Sequence, residues 1–146
     1  VQSGQMSIQQ VLDVRRTLEL RTAALAALRR TEAEGACLTG TVARMFDAID
    51  APEQLRALDI DFHEAIAAAS GNPLYAMLVQ SFRVITEQTW HIGWHSRQTP
   101  ENRLGHIACH GRIADTIIAR DSAAAEAAMA EHFDSAKSVL LNAGIT

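Results

Sequence analysis

The chain has 146 residues, of which 48% are hydrophobic but only 5% aromatic, and its formal net charge is −4. This length predicts one domain, residues 1–146, with a sizeable core. The 13 basic residues are scattered, which argues against DNA binding by this chain itself, and no apolar run reaches the roughly 18 residues of a membrane span.

Alanine and leucine dominate the apolar residues, which favours an all-α domain. Apolar periodicity and the placement of proline and glycine predict six helices, and the short connections between them favour antiparallel neighbours in a bundle. With approximate bounds they are Ile8 to Arg30, Leu38 to Ile49, Pro52 to Ser70, Pro73 to Trp94, Pro100 to Ala119 and Asp121 to Leu141.

The first predicted helix carries Arg15 beside its apolar stripe. A partly buried guanidinium needs an anionic partner. That partner is either Glu19, one helical turn later, or the carboxylate of a ligand held in a bidentate fork.

The third predicted helix places two polar residues beside its apolar face. On a helical wheel, Asp59 and His63 form an i, i+4 pair at the margin of the face that contains Phe62 and Ile66. Asp61 points toward solvent. The pair either satisfies itself by hydrogen bonding or contributes to a site.

The fourth predicted helix offers weaker candidates. Arg83 lies about as far beyond the SGN turn as Asp59 and His63 lie before it, so it either faces the same layer or pairs with acids on the solvent side. The segment WHIGWH places His91 and His95 at i, i+4. That spacing suits two metal ligands, but an exposed or interface aromatic cluster is the preferred interpretation.

The last two predicted helices carry the strongest signal. His110 lies ten residues before Arg120, and His132 lies eleven residues after Asp121. In an antiparallel hairpin both histidines are therefore roughly 15 Å from the turn, at about 1.5 Å per residue, and both are on apolar faces. His106 is one turn before His110 but nearer the edge of its face.

Three inward imidazoles and a carboxylate suit a divalent metal, and helical bundles build metal sites from facing helices. Zinc, nickel, iron and manganese all accept such ligands, and ligand softness alone does not choose among them. Hydrogen-bonded structural histidines remain the competing interpretation. Cys37 and Cys109 form no recognisable motif, which favours two reduced thiols over a disulfide.

Three segments together resemble the C-terminal domain of FadR (the FCD domain), the effector-binding domain of GntR-type bacterial transcription regulators. These segments are VRRTLE, DIDFH followed by AIAAASGNPL, and HGRIADTIIARDSAAAEAAMAEHF. The resemblance implies six or seven helices around a central cavity, and a metal held by one aspartate and three histidines. Transferred to this sequence, the implied ligands are Asp59, His63, His110 and His132, and Arg15 matches an arginine associated with a carboxylate effector.

The resemblance also implies a cytoplasmic homodimer that contacts DNA only through an N-terminal winged helix-turn-helix, which this chain lacks. The sequence therefore predicts a non-enzymatic sensor that binds a metal and a small organic acid, with Arg15 and Arg83 as effector contacts. Two alternatives remain: a metal-dependent hydrolase or lyase using Glu19 or Glu87 as its base, and a metal-free structural bundle.

Overall fold

The computed structural model describes residues 5–146. Within this range all regular elements are α-helices, as predicted from the composition. None of the described helices is both long and apolar enough to cross a membrane. The helices are α1 (Ile8–Arg29), α2 (Glu32–Asp47), α3 (Pro52–Ala69), α4 (Pro73–Gln80), α5 (Arg83–Ser96), α6 (Pro100–Ile118) and α7 (Ser122–Asn142).

Local sequence signals explain most helix ends. Ser7 and Gln10 form a capping box at the start of α1, and prolines occupy the first position of α3, α4 and α6. Asp121 caps α7 by accepting a hydrogen bond from the amide of Ala124. These side chains satisfy backbone N–H groups that have no partner within the helix.

The predicted start of the second helix is wrong. α2 begins at Glu32, because the Thr31 hydroxyl accepts from the Glu34 amide while the Glu34 carboxylate accepts from the Thr31 amide. This reciprocal pair has the spacing of a capping box. It fixes the start of the helix despite the glycines that follow.

The single helix predicted from Pro73 to Trp94 is also wrong, because it is broken between α4 and α5. The Ser81 hydroxyl donates to the carbonyl of Leu78 at 2.5 Å, and the Phe82 amide donates to the carbonyl of Val79. Such bonds to carbonyls three residues back tighten the last turn of a helix. Residues 5–146 therefore contain seven helices instead of six.

Two groups of buried apolar residues form the core. The first joins α1, α2, α3, α6 and α7 and includes Phe62, Ile113 and Met129. The second lies around Leu55, Trp94 and Ile107. Both cysteines are free; Cys37 is exposed and Cys109 is buried.

Candidate metal centre and cavity

Asp59, on α3, is a buried carboxylate surrounded by ring nitrogens. Its Oδ1 lies 2.9 Å from Nε2 of His110 and 3.3 Å from Nε2 of His63. Its Oδ2 accepts a hydrogen bond from Nε1 of Trp90 at 2.9 Å and lies 3.1 Å from Nε2 of His106. Burial alone would raise the pKa of Asp59, but the surrounding donors hold it well below its ordinary value. Asp59 is therefore ionised.

Three buried histidines converge beside this carboxylate. The ring centroids of His110 and His132 are 4.6 Å apart, and those of His63 and His132 are 5.0 Å apart. One nitrogen from each of His63, His110 and His132 lies within 4.8 Å of the other two. The hairpin of α6 and α7 thus brings His110 and His132 to the same level, next to His63 on α3.

The far ring nitrogens of two histidines are held by acceptors. Nδ1 of His63 faces Oε1 of Glu19, which is buried on α1, and the other oxygen of Glu19 accepts from Nε of Arg15 at 2.9 Å. Nδ1 of His110 donates to the carbonyl of His106 at 2.8 Å. In both rings Nε2 is directed toward the interior of the cluster. A carboxylate or carbonyl behind a histidine in this way is typical of metal ligands.

Protonation differs among the imidazoles. Burial lowers the pKa of His63, but Glu19 and Asp59 outweigh this effect and raise it to about 9. Burial, reinforced by the neighbouring histidines, lowers the pKa of His132 well below its ordinary value. His132 is therefore neutral and has a free lone pair, whereas His63 must lose a proton before it can bind a metal.

The donor set fits a divalent cation. Asp59 and the three histidines provide one carboxylate and three imidazoles, a combination that zinc and neighbouring transition metals accept. His106 adds a further imidazole, because it forms a second possible ligand group with Asp59 and His110. The sequence predicts His106 near the edge of its helix face; its side chain is in fact only 11% exposed.

A cavity of about 110 Å³ opens beside the cluster. Asp59, His63 and His132 form one part of its wall, and Arg15 and Arg97 are the two arginines that line it. The remaining wall is largely apolar and includes Leu12, Ile60, Trp90, Phe133 and Leu140. The space is small, which suits a ligand of few heavy atoms.

The two arginines predicted to contact an effector occupy different environments. Arg15 lines the cavity, but its Nε is paired with Glu19. Arg83 is paired with Asp61 at 2.8 Å, Glu64 at 2.9 Å and Glu87 at 3.3 Å, and these carboxylates raise its pKa. For Arg83 the structure thus shows the solvent-side ion pair that the sequence left open as an alternative.

The histidines and the tryptophans of the WHIGWH segment lie on different faces of α5. His91 and His95 are exposed, with ring centroids 6.2 Å apart. Trp94 is only 3% exposed and stacks on Trp90 with centroids 5.4 Å apart. The interpretation of an exposed aromatic cluster is therefore wrong, because the tryptophans line the cavity and the histidines face outward.

Sequence reasoning missed three residues of this region. The sequence offers Glu19 as the partner of Arg15 or as a catalytic base but not as the acceptor behind His63, because the orientation of α1 against α3 is not readable from periodicity. Trp90 was assigned to a surface. Arg97 lies between α5 and α6, where no helical period indicates which side is buried, yet it is only 7% exposed.

Comparisons with known proteins agree with this architecture. Residues 10–135 match the sequence profile of the FCD domain. The chain is 36% identical over 138 residues to the HTH-type transcriptional regulator LutR of Bacillus subtilis (strain 168), an alignment that covers 91% of this chain and 62% of LutR.

Two solved structures are similar. Streptococcus agalactiae GntR superposes with a TM-score of 0.70 and 27% identity, covering 87% of this chain and 56% of that protein. E. coli McbR/YncC superposes with a TM-score of 0.77 at 19% identity, covering 94% of this chain and 65% of that protein, a likeness of fold alone. The chain thus spans less than two thirds of the length of each of these relatives.

Proposed function

This chain belongs to the FCD family of effector-binding domains in GntR-type transcription regulators, and from that membership we propose that it senses a small carboxylate with the help of a bound divalent metal. The effector would alter DNA binding by another part of the regulator. The observation that carries the proposal is the convergence of Asp59, His63, His110 and His132 beside a cavity.

The proposed ligands would hold the ion on one wall of that cavity. Zinc is the preferred ion, with nickel, iron or manganese as alternatives. A divalent ion held by four protein groups would supply a Lewis-acidic position that can accept a carboxylate oxygen of an effector. Glu19 keeps the His63 ring in the orientation that this role requires.

The effector would lie in the cavity beside Arg15, which lines it while Glu19 holds its Nε. The apolar wall fits the carbon skeleton of a small organic acid. Arg83 stays a weaker candidate, because three carboxylates already surround it.

The arrangement offers a route from ligand to helix packing. Asp59 on α3 contacts Trp90 on α5 and His106 and His110 on α6, so a change at this carboxylate acts on three helices. An effector shifts the balance between two packings only by its difference in affinity for them, a coupling of about 1–3 kcal/mol in typical cases. In a cytoplasmic homodimer this shift would reach DNA-binding modules elsewhere in the regulator.

Metal content tests the proposal. We expect purified protein to contain about one divalent ion per chain, and His110→Ala and His132→Ala to lose it. His95→Ala is the matched control, because His95 is exposed and outside the cluster. Elemental analysis of all four proteins measures this, and unchanged metal content in both cluster variants would refute the metal site.

Turnover is the competing function. The two candidate bases are both engaged, Glu19 with His63 and Arg15 and Glu87 with Arg83, which supports a sensor over a hydrolase or lyase. Thermal-shift measurement against a panel of small carboxylates, followed by product analysis of any that bind, distinguishes the two. Binding without conversion is the expected result.

A further inference from the structure

Arg97 is a buried arginine without a direct ion-pair partner among residues 5–146. It follows α5 directly, is 7% exposed and lines the same cavity as Asp59, His63 and His132. Its guanidinium makes no ion pair and donates no hydrogen bond to any side chain or carbonyl of residues 5–146, and its nitrogens keep some contact with solvent, unlike the fully buried unpaired Nε1 of Trp94 and Nδ1 of His106. Burial lowers the pKa of Arg97, and the nearby carboxylate of Asp59 offsets this only in part.

The other buried or cavity-lining arginines differ from Arg97 in this respect. Arg15 is paired with Glu19 at 2.9 Å. Arg30 is equally buried, but it donates to the carbonyls of Ile117 and Ile118. A buried charge without a partner costs stability. An unpartnered guanidinium that lines a cavity therefore points to a ligand anion as its missing partner.

Charge balance in the cavity gives the class of ligand. Arg15 and Glu19 neutralise each other, and Asp59 neutralises only part of the charge of a divalent ion. With the ion bound, Arg97 brings the excess to about two positive charges. A monocarboxylate could neutralise half of that excess, whereas a ligand with two anionic groups could neutralise all of it.

We propose that Arg97 binds a second anionic group of the effector, so that the preferred effector is a small dicarboxylate with one carboxylate at the metal and the other at Arg97. This inference rests on the proposed function and adds to it a specificity-determining residue. The planar guanidinium suits a carboxylate because it can donate two parallel N–H bonds.

Calorimetric titration of the zinc-loaded chain tests this with matched probes of equal carbon number. The probes are malonate against propionate, and succinate against butyrate. We expect one dicarboxylate to bind at least about tenfold more tightly than its partner. Arg97→Met should lose about tenfold to a hundredfold for that dicarboxylate, with little change for the monocarboxylate.

Two further variants act as controls. Arg97→Lys keeps the charge and should retain part of the dicarboxylate preference. Arg112→Met removes a surface charge paired with Glu131 and should bind as wild type does. Without ligand, Arg97→Met should melt no lower than wild type, because methionine removes an unpaired buried charge while keeping a long side chain.

The outcomes separate this inference from the function on which it rests. If wild type binds a monocarboxylate as tightly as its dicarboxylate, or if Arg97→Met leaves the preference intact, the role of Arg97 is refuted and the sensor function stands. A lowered melting temperature of ligand-free Arg97→Met would also refute it, because Arg97 would then have a structural partner. If zinc-loaded wild type binds none of the four probes but binds another small carboxylate of the thermal-shift panel, the role of Arg97 is refuted and the sensor function stands; if it binds no carboxylate of the panel, both proposals fail.

Discussion

At the scale of single residues, the candidate centre depends on which nitrogen each imidazole presents. His63 directs Nδ1 to Glu19 and Nε2 toward Asp59, and His110 directs Nδ1 to the carbonyl of His106. The far nitrogen of each ring is thereby occupied. A metal would bind Nε2 in both cases without the ring having to turn.

Removing the charge behind His63 should weaken the metal site. We expect Glu19→Gln to lower metal affinity by about 10–100-fold. A neutral amide accepts from the Nδ1–H of His63 less strongly than a carboxylate does, and it can also turn its NH2 group instead of its oxygen toward the ring. Competition against a chelating dye measures the affinity. Glu126→Gln, an exposed substitution of the same type on α7, should bind as wild type does; equal affinities in the two variants would show that Glu19 does not orient His63.

Residues within one helix were easier to predict from the sequence than contacts between helices. The sequence was sufficient to select Asp59, His63, His110 and His132. Helical periodicity indicates the face of the helix on which a residue lies, and its distance from a turn indicates its position along the bundle axis. Glu19 could not be joined to His63, since 44 positions separate them and only the packing of α1 on α3 brings them together. Arg97 could not be selected, because it lies between two helices and helical periodicity does not predict whether such a residue is buried.

At the scale of elements, Arg30 joins the end of α1 to the end of α6. Its Nε donates to the carbonyl of Ile117 at 3.2 Å and its Nη2 to the carbonyl of Ile118 at 2.6 Å. These carbonyls belong to the last turn of α6, whose carbonyls have no partner further along the helix; that of Ile117 also accepts from the amide of Arg120. Gly35 on α2 provides the space for this arginine, because a Cβ there would lie 3.2 Å from its Cδ.

Two glycines of α2 should therefore respond differently to alanine. A Cβ at Gly40 meets nothing within 4 Å, so Gly40→Ala should stabilise the protein by about 0.5–1 kcal/mol through helix propensity. That gain corresponds to a rise of about 1–4 °C in melting temperature. Gly35→Ala should gain less or lose stability, because the Arg30 side chain must move; equal rises in thermal melts would contradict the close packing.

The break between α4 and α5 is a feature that local sequence signals do not predict. Pro73 and the cap Asn72 identify the start of α4 in the sequence. The residues at the break, Ser81 and Phe82, are neither proline nor glycine, so their types do not predict an interruption of the helix. The break allows Trp90 on α5 to reach Asp59 on α3, a contact between elements that local propensity does not contain.

At the scale of the whole molecule, the histidine cluster lies between the two groups of core residues. Phe62 and Phe133 of the first group contact His110 and His63 with ring centroids 5.2 Å and 6.0 Å apart. Trp94 of the second group is 6.0 Å from His106 by the same measure. The composition predicted the helical bundle correctly, because alanine and leucine specify helices and their burial holds the helices together. The bundle thus has a core independent of any metal.

Metal removal should accordingly lower stability without unfolding the bundle. A ligand that binds only the folded state adds about 2.7 kcal/mol when its free concentration is a hundredfold above Kd, so chelation should lower the melting temperature by several degrees. Far-ultraviolet circular dichroism at 25 °C should keep its helical signal, because Asp59 retains its contacts to Trp90, His106 and His110. His132→Ala should not respond to the chelator. Loss of helical signal on chelation would show instead that the metal is required for folding, and an unchanged melting temperature after verified metal removal would show that no stabilising ion was bound.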